Sequence, residues 1–147
     1  FIVHDDTTCM VDAAYRFSRF LSIESCGQCP PCKLGSSAIT EHLERIETGV
    51  GDVGDLNAIT GWLGHVTDGS RCYLATEEQI MVTSILRAFP DELTQHIEHG
   101  GCPRPRRLPI PKLVDLTDGV AVYDDTFWRK QPDWTYADDE ASPDGRE

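Results

Sequence analysis

Apolar residues recur at helical spacing through the first hundred positions of this chain and then lose that period. From Thr8 to Ser22 they fall at Met10, Val11, Ala14, Phe17 and Leu21, one stripe of a 3.6-residue repeat, with Thr7 or Thr8 placed to cap. Ile39, Leu43 and Ile46 form a second stripe. Pro31 suits the first position of that helix, where a missing N–H costs nothing, and Gly49 stands near its end. Leu56, Ile59, Leu63 and Val66 predict a third helix from Asp55 to about Thr67. Thr76-Glu77-Glu78-Gln79 has the form of a capping box opening a fourth, with Ile80, Ile85, Leu86 and Phe89 inward. Pro90 ends or kinks this helix, and Asp91 to His99 is the stretch that would continue it. Short helices joined by short links predict an all-α fold, a small four-helix bundle.

Beyond Gly100-Gly101 the pattern changes. Cys102-Pro103-Arg104-Pro105 and Pro109-Ile110-Pro111 cannot lie inside a helix. Leu113 to Leu116 and Val120 to Tyr123, joined through Thr117-Asp118-Gly119, read as a β-hairpin in an otherwise irregular C-terminal extension. At the other end, Phe1-Ile2-Val3-His4 reads as a strand without a partner, the remnant of an upstream region. The expected organisation is a remnant strand in 1–7, a helical domain over 8–101, a Pro-rich extension with a hairpin over 102–136, and an acidic, disordered tail over 137–147.

Charge narrows the function classes. The 147 residues carry a net charge of −12, which opposes binding to nucleic acid phosphates and to anionic membrane surfaces. No apolar run approaches the roughly 18 residues of a spanning helix, so direct membrane insertion is not expected. Most of the Asp and Glu residues read as a solvated face. Six cysteines are few for a disulfide scaffold of this length, and their clustering reads as metal ligation in a reducing compartment, cytoplasmic or organellar matrix.

The chemistry concentrates in Glu24-Ser25-Cys26-Gly27-Gln28-Cys29-Pro30-Pro31-Cys32. Three thiolates at C-x2-C-x2-C spacing can wrap one side of a metal centre, and thiolate donors select iron–sulfur clusters, zinc or Cu(I). An all-cysteine site needs a fourth sulfur. Cys72, 40 residues beyond Cys32, is the best placed. Zinc, closed by Cys72 or by a histidine such as His65, is the competing reading, although zinc usually shows two separated cysteine pairs. Disulfides or free thiols are the third. Gly27 would give the loop backbone freedom, Pro31 would shape its exit, and Lys33 would offset anionic charge.

Other motifs add less. Gly49-Val50-Gly51-Asp52-Val53-Gly54 matches G-x-G-x-x-G, but a helix rather than a strand precedes it, so it reads as a helix–helix link. His4, His42, His65, His96 and His99 read as surface or packed residues. Cys9 reads as a small buried hydrophobe within the first helix. Cys102 has no assigned role. Phe127, Trp128, Trp134 and Tyr136 read as folding back on the bundle or docking on a partner.

The run E-S-C-G-x-C-x-P-C, with Cys72 and the following helix through Phe89-Pro90-Asp91-Glu92, resembles the C-terminal iron–sulfur domain of the NADH-binding flavoprotein subunit of respiratory complex I. Related subunits occur in NAD-linked formate dehydrogenases and NAD(P)-reducing hydrogenases. The resemblance spans about residues 1–103. It implies a four-helix bundle holding one [4Fe–4S] cluster on Cys26, Cys29, Cys32 and Cys72, and a relay of electrons from a flavin to further clusters. Lys33-Leu34-Gly35 stands where the family has Arg-Glu-Gly, and Cys72-Tyr73-Leu74-Ala75 where it has Cys-Ala-Leu-Gly. The Gly-rich flavin-binding region that precedes this module in the family does not occur in these residues. FMN and NAD(H) are therefore expected only in a partner or a missing upstream region, and the expected partners are flavin-binding and iron–sulfur proteins of a redox complex. Two other classes remain open at this point: a zinc-stabilised interaction module, and a redox-sensing regulatory domain.

Overall fold

The computed structural model describes residues 3, 5–103 and 112–124. Five helices occupy the first part: α1 (Met10–Glu24), α2 (Pro30–Glu47), α3 (Val53–Leu63), α4 (Leu74–Ala88) and α5 (Pro90–His99). Two strands follow, β1 (Lys112–Thr117) and β2 (Val120–Asp124), paired antiparallel. The all-α expectation and the hairpin both hold. No helix among the described residues is long and apolar enough to cross a membrane. Of the strand expected at Phe1–His4 only Val3 is described, exposed and outside any strand, and the acidic tail and the four late aromatics lie outside the described residues.

α2 is the central element. It packs along α1 and α3 and touches α4 and α5. Its stripe Ile39, Leu43 and Ile46 is fully buried, facing Val11 and Ala14 of α1, Ile59 of α3 and Val82 of α4 in one apolar cluster. Burying each such aliphatic side chain is worth about 1.5–3 kcal/mol, so this stripe outweighs any single polar contact in the bundle.

The helix ends differ from expectation in instructive ways. α1 is capped by Cys9, whose Sγ accepts from the Asp12 N–H at 3.4 Å, and not by Thr7 or Thr8. α2 opens at Pro30, one residue earlier than expected, so two prolines fill its first two positions. α3 carries a capping box absent from the sequence reading: Asp52 accepts from the Gly54 and Asp55 amides, and Asp55 reaches back to the Asp52 N–H. The glycine-rich stretch is thus a link and a cap, as its helical flank predicts. α4 begins at Leu74, so Thr76 lies inside the helix and its box does not form. Its buried face is Ala75, Glu78, Val82 and Ile85, while Ile80 and Phe89 are exposed. The helix packs on α1 through the face carrying Glu78 and Val82, which leaves Ile80 on the opposite side. Pro90 ends α4 and opens α5 as a separate helix, so the bundle has a fifth short member.

The hairpin turns through Asp118 and Gly119, both at positive φ (52° and 79°), the backbone required by the tight turn favoured in two-residue hairpins. A register shift between Leu113 and Asp115 interrupts the ladder.

Three acidic residues that read as solvated, Asp12, Asp55 and Glu78, are in fact buried. Asp55 joins α2 to α3: its Oδ1 accepts from His42 Nδ1 at 2.7 Å and Arg45 Nε at 2.8 Å. Burial works against its charge, but these donors and the Asp52 amide prevail and hold its pKa at about 2. Glu78 of α4 is fully buried. Its Oε1 lies 2.6 Å from Ser18 Oγ of α1, which lies 2.8 Å from Thr40 Oγ1 of α2, which donates to Ser36 O at 2.7 Å. Ser18 Oγ donates to Glu78 Oε1, which favours the carboxylate, but burial outweighs that bond and pushes the pKa up to about 7.

Asp55 and Glu78 act in opposite directions on stability. Glu78 binds its proton more tightly when folded, so its contribution is full below the unfolded value near 4.5 and declines as pH rises through 7. We expect Glu78→Gln to flatten stability between pH 5 and 8 and to stabilise the bundle at pH 8 by on the order of 1–3 kcal/mol, measured by denaturant unfolding at both pH values. Asp55 contributes above its unfolded value near 3.8 and loses that contribution as pH falls toward 2. Asp55→Asn is expected to cost about 1–2 kcal/mol at pH 7 and to remove that acid-limb dependence in the same measurement.

Candidate metal centre

The cysteine run is the reversal between α1 and α2. α1 stops at Ser25, whose N–H still bonds Leu21 O at 2.9 Å while its own backbone has turned extended. Only four residues, 26–29, then separate α1's cap from α2, and Gly27 sits at φ +78° to turn the chain that fast. No neighbour approaches the space where a Cβ would stand, so the glycine is required by its backbone angle and not by crowding. Cys29 is the N-cap of α2. Of the N–H groups before Lys33, Pro30 and Pro31 have none to offer, which leaves the Cys32 amide as the orphan donor inside the first turn. The positive end of the α2 dipole therefore lies beside Cys29 and Cys32, where it favours thiolate.

Burial divides the four expected ligands. Cys32 is buried and Cys29 partly so, both against the apolar core; Cys26 and Cys72 are exposed. Lys33 Nζ donates to Ser22 O at 2.6 Å and lies 3.5 Å from Ser25 O, closing the carbonyl end of α1. The sequence reading of Lys33 as a charge-offsetting group missed this lacing role. It also missed Ser25, whose buried Oγ lies 3.5 Å from Cys32 Sγ. A serine beside a ligand-spaced cysteine is a weak signal, since the hydroxyl could equally have capped a helix.

Cys72 lies in the link between α3 and α4. Gln79 Nε2 donates to Leu63 O at 2.6 Å, and fully buried Val66 presses on α2 at Gly35, one turn past Cys32. A Cβ at Gly35 would stand 3.0 Å from a Val66 methyl, so that crossing leaves no room for a side chain. Ser70 Oγ, two residues before Cys72, is buried without a hydrogen-bond partner among the described residues. A soft, anionic, sulfur-rich group suits this set: four cysteines, none in a disulfide, an orphan amide, and an orphan hydroxyl that needs an acceptor.

The structure does not draw Cys26, Cys29, Cys32 and Cys72 onto an ion-sized point. Among the described residues, the group of ligating atoms that converges within 4.8 Å is a different one: Cys9, Glu47, His96 and Cys102. Cys9 is buried in the apolar core and His96 is packed, as read, although Cys9 stands at the N-cap of α1 and not within the helix.

A family model described as the NADH-ubiquinone oxidoreductase-F iron-sulfur binding region matches residues 12–96, well over half of the chain. The chain belongs to that family. The matched span contains all four cysteines of the expected site and excludes Cys9 and Cys102. Among similar proteins, an NADH-quinone oxidoreductase subunit of Mycobacterium tuberculosis is 37% identical over 101 residues, covering 69% of this chain and 23% of the relative. The NADP-reducing hydrogenase subunit HndC of Solidesulfovibrio fructosivorans is 32% identical over 102 residues, 69% and 21% respectively. The mitochondrial 51 kDa subunit of NADH-ubiquinone oxidoreductase from Neurospora crassa is 32% identical over 105 residues, 68% and 21%. This chain thus spans less than a quarter of the length of these relatives. As a member of the family, it is an iron–sulfur domain whose cofactor is a [4Fe–4S] cluster.

Exposure sets the order of thiol reactivity. In the iron-free chain, alkylation should reach Cys26 and Cys72 well before Cys32 and Cys9, and iron–sulfur loading should protect the first two; peptide mass mapping over a time course measures both effects.

Proposed function

We propose that this chain is an electron-transfer module in which Cys26, Cys29, Cys32 and Cys72 hold one [4Fe–4S] cluster within a multi-subunit, NAD(P)H-linked oxidoreductase. It would relay electrons between a flavin held outside these residues and further clusters. The observation that carries this reading is the E-S-C-G-x-C-x-P-C run seated at the start of α2, inside the span matched by the family model. When bound, such a cluster takes up and releases single electrons.

The chain's own groups would do the rest. Cys32 and Cys29 anchor from the buried side, with the α2 N-terminus favouring their ionised form. The Cys32 amide and Ser25 Oγ are placed to donate to sulfur, the class of contact that raises a cluster's potential. Ser70 Oγ offers a further donor on the Cys72 side. Exposed Cys26 and Cys72 leave one edge of the site at the surface, where a donor or acceptor in another subunit could approach. The proteins similar to this chain are named as subunits of NADH-quinone oxidoreductases and of a hydrogenase, which supports placement in a redox assembly.

Anaerobic purification should yield a brown protein with about four irons and four acid-labile sulfides per chain, as one cube requires. Colourless protein with zinc bound through four sulfurs would reject the reading. Cys72→Ser is expected to lower iron content at least severalfold while far-UV circular dichroism keeps its helical form. Unchanged iron in that variant would remove Cys72 from the site.

A further inference from the structure

At the end of the bundle opposite the cysteine run, four ligating side chains from four separate segments meet. Cys9 caps the start of α1, Glu47 ends α2, His96 lies in the last turn of α5, and Cys102 follows the two glycines after α5. Cys9 Sγ is 3.3 Å from His96 Nε2 and 3.9 Å from Glu47 Oε2, and His96 Nε2 is 3.1 Å from Glu47 Oε2. Cys102 Sγ joins them within 4.8 Å. α1 is 15 residues long and α2 is 18, so this group lies about 22–27 Å along the helix axes from the loop carrying Cys26 and Cys29.

We propose that Cys9, Glu47, His96 and Cys102 form a second metal site, a closed four-ligand centre for zinc that is independent of the iron–sulfur region. Tetrahedral zinc, with bonds of about 2.3 Å to sulfur and 2.0–2.2 Å to nitrogen or oxygen, spaces such ligand atoms about 3.3–3.8 Å apart. The three distances above bracket that range, so little movement is needed to close the site. The imidazole is already oriented. His96 Nδ1 donates to Glu92 O at 2.7 Å, which fixes the ring and leaves Nε2 facing Glu47 and Cys9. Burial works against the ring's charge, but Glu47 and the Glu92 carbonyl raise its pKa, so a metal would take Nε2 in place of the proton shared with Glu47. Burial is also that of a structural site: Cys9 and His96 are 0% and 2% exposed.

The local fold is arranged to deliver Cys102 here. Gly100 caps α5 in the left-handed conformation, and Gly101 donates to His96 O at 2.9 Å. Cys102 N–H then donates to Glu47 O at 3.2 Å. Any side chain at Gly49 would collide with the carbonyl of Gly100, so the two chain segments can pass only with a glycine at position 49. Both α2 and α5 end at this point, and their carbonyl ends favour a cation.

A His–Glu ion pair alone leaves the two thiols unexplained. Thiols are poor hydrogen-bond partners but strong ligands for soft metals, so two of them directed at one imidazole return far more as ligands. Burial holds the Cys9 thiol protonated well above its ordinary range. Zinc binding would exchange zinc's bound waters for two Zn–S bonds, one Zn–N and one Zn–O bond, releasing the two thiol protons and the His96 Nε2 proton to solvent, and the cation would then offset the buried negative charge. With every position filled by protein, such a centre is structural and not catalytic. It would pin the start of α1, the ends of α2 and α5, and the departure of the chain beyond Cys102.

The test uses the cluster-loaded chain, in which the cysteine run is already occupied. Equimolar zinc ion is added anaerobically, excess is removed, and the zinc X-ray absorption edge is read, which iron does not obscure. The proposal expects about one zinc per chain with two sulfur and two nitrogen or oxygen neighbours. Zinc coordinated by four sulfurs, zinc absent after passage over a weak chelating resin, or a Cys9–Cys102 disulfide found by peptide mass spectrometry under anaerobic conditions would each overturn it. Cys102 is only half-buried, so Cys102→Ser is the variant best able to fold; it should weaken zinc binding at least tenfold in chelator competition and leave iron content unchanged. Zinc affinity equal to the parent's in that variant would overturn the proposal as well.

Discussion

The antiparallel packing of α1 on α2 governs this molecule. Val11 and Ala14 on one side and Ile39, Leu43 and Ile46 on the other are removed from water almost completely. That apolar seam aligns two helices of similar length side by side, joined by a four-residue reversal. Wherever α1 ends, α2 must begin, and wherever α1 begins, α2 must end. One seam therefore creates two chemically distinct ends: the cysteine loop at one, and the meeting of Cys9 with Glu47 at the other.

The remaining helices complete those ends. α3 and its link are held to α2 by the Asp55 clamp and by Val66 seated against Gly35, which carries the Cys72 segment across the first half of α2. α4 packs on α1, with Glu78 buried in a polar chain that reaches α2 through Ser18 and Thr40. α5 is the shortest helix, yet it supplies His96 to the far end and Glu92, whose Oε2 accepts from the Met10 N–H at 2.9 Å at the opening of α1. Polar groups inside the bundle are concentrated where two or three helices must be registered against each other. Directional contacts specify an arrangement that apolar burial alone would leave loosely determined.

Membership in the iron–sulfur binding region family accounts for the run between α1 and α2 and leaves the other end unexplained. The family match covers Glu47 and His96 but stops short of Cys9 and Cys102 on either side. Two cysteines flanking the matched span are brought together by the ends of its helices.

Much of the architecture was present in the order of residues. The apolar stripes of the first three helices, the hairpin turn at Asp118-Gly119 and the C-x2-C-x2-C run are local patterns, and local patterns act through the 3.6-residue period, the positive φ of a turn and the reach of one short loop. These survived folding nearly unchanged. What the linear order could not disclose was every feature created by approach between distant residues. The inward face of α4 was decided by its packing on α1, which put Ile80 outward and Glu78 inward. The buried state of Asp55 and Glu78 turned on partners 10 to 60 positions away. Cys9 and His96, 87 positions apart, carry no spacing signal at all, because their meeting is set by helix lengths and glycine crossings and not by any interval along the chain. Composition and period determined the elements and the cysteine run; only the packed tertiary structure decided which carboxylates lost water and which thiols came to share a neighbour.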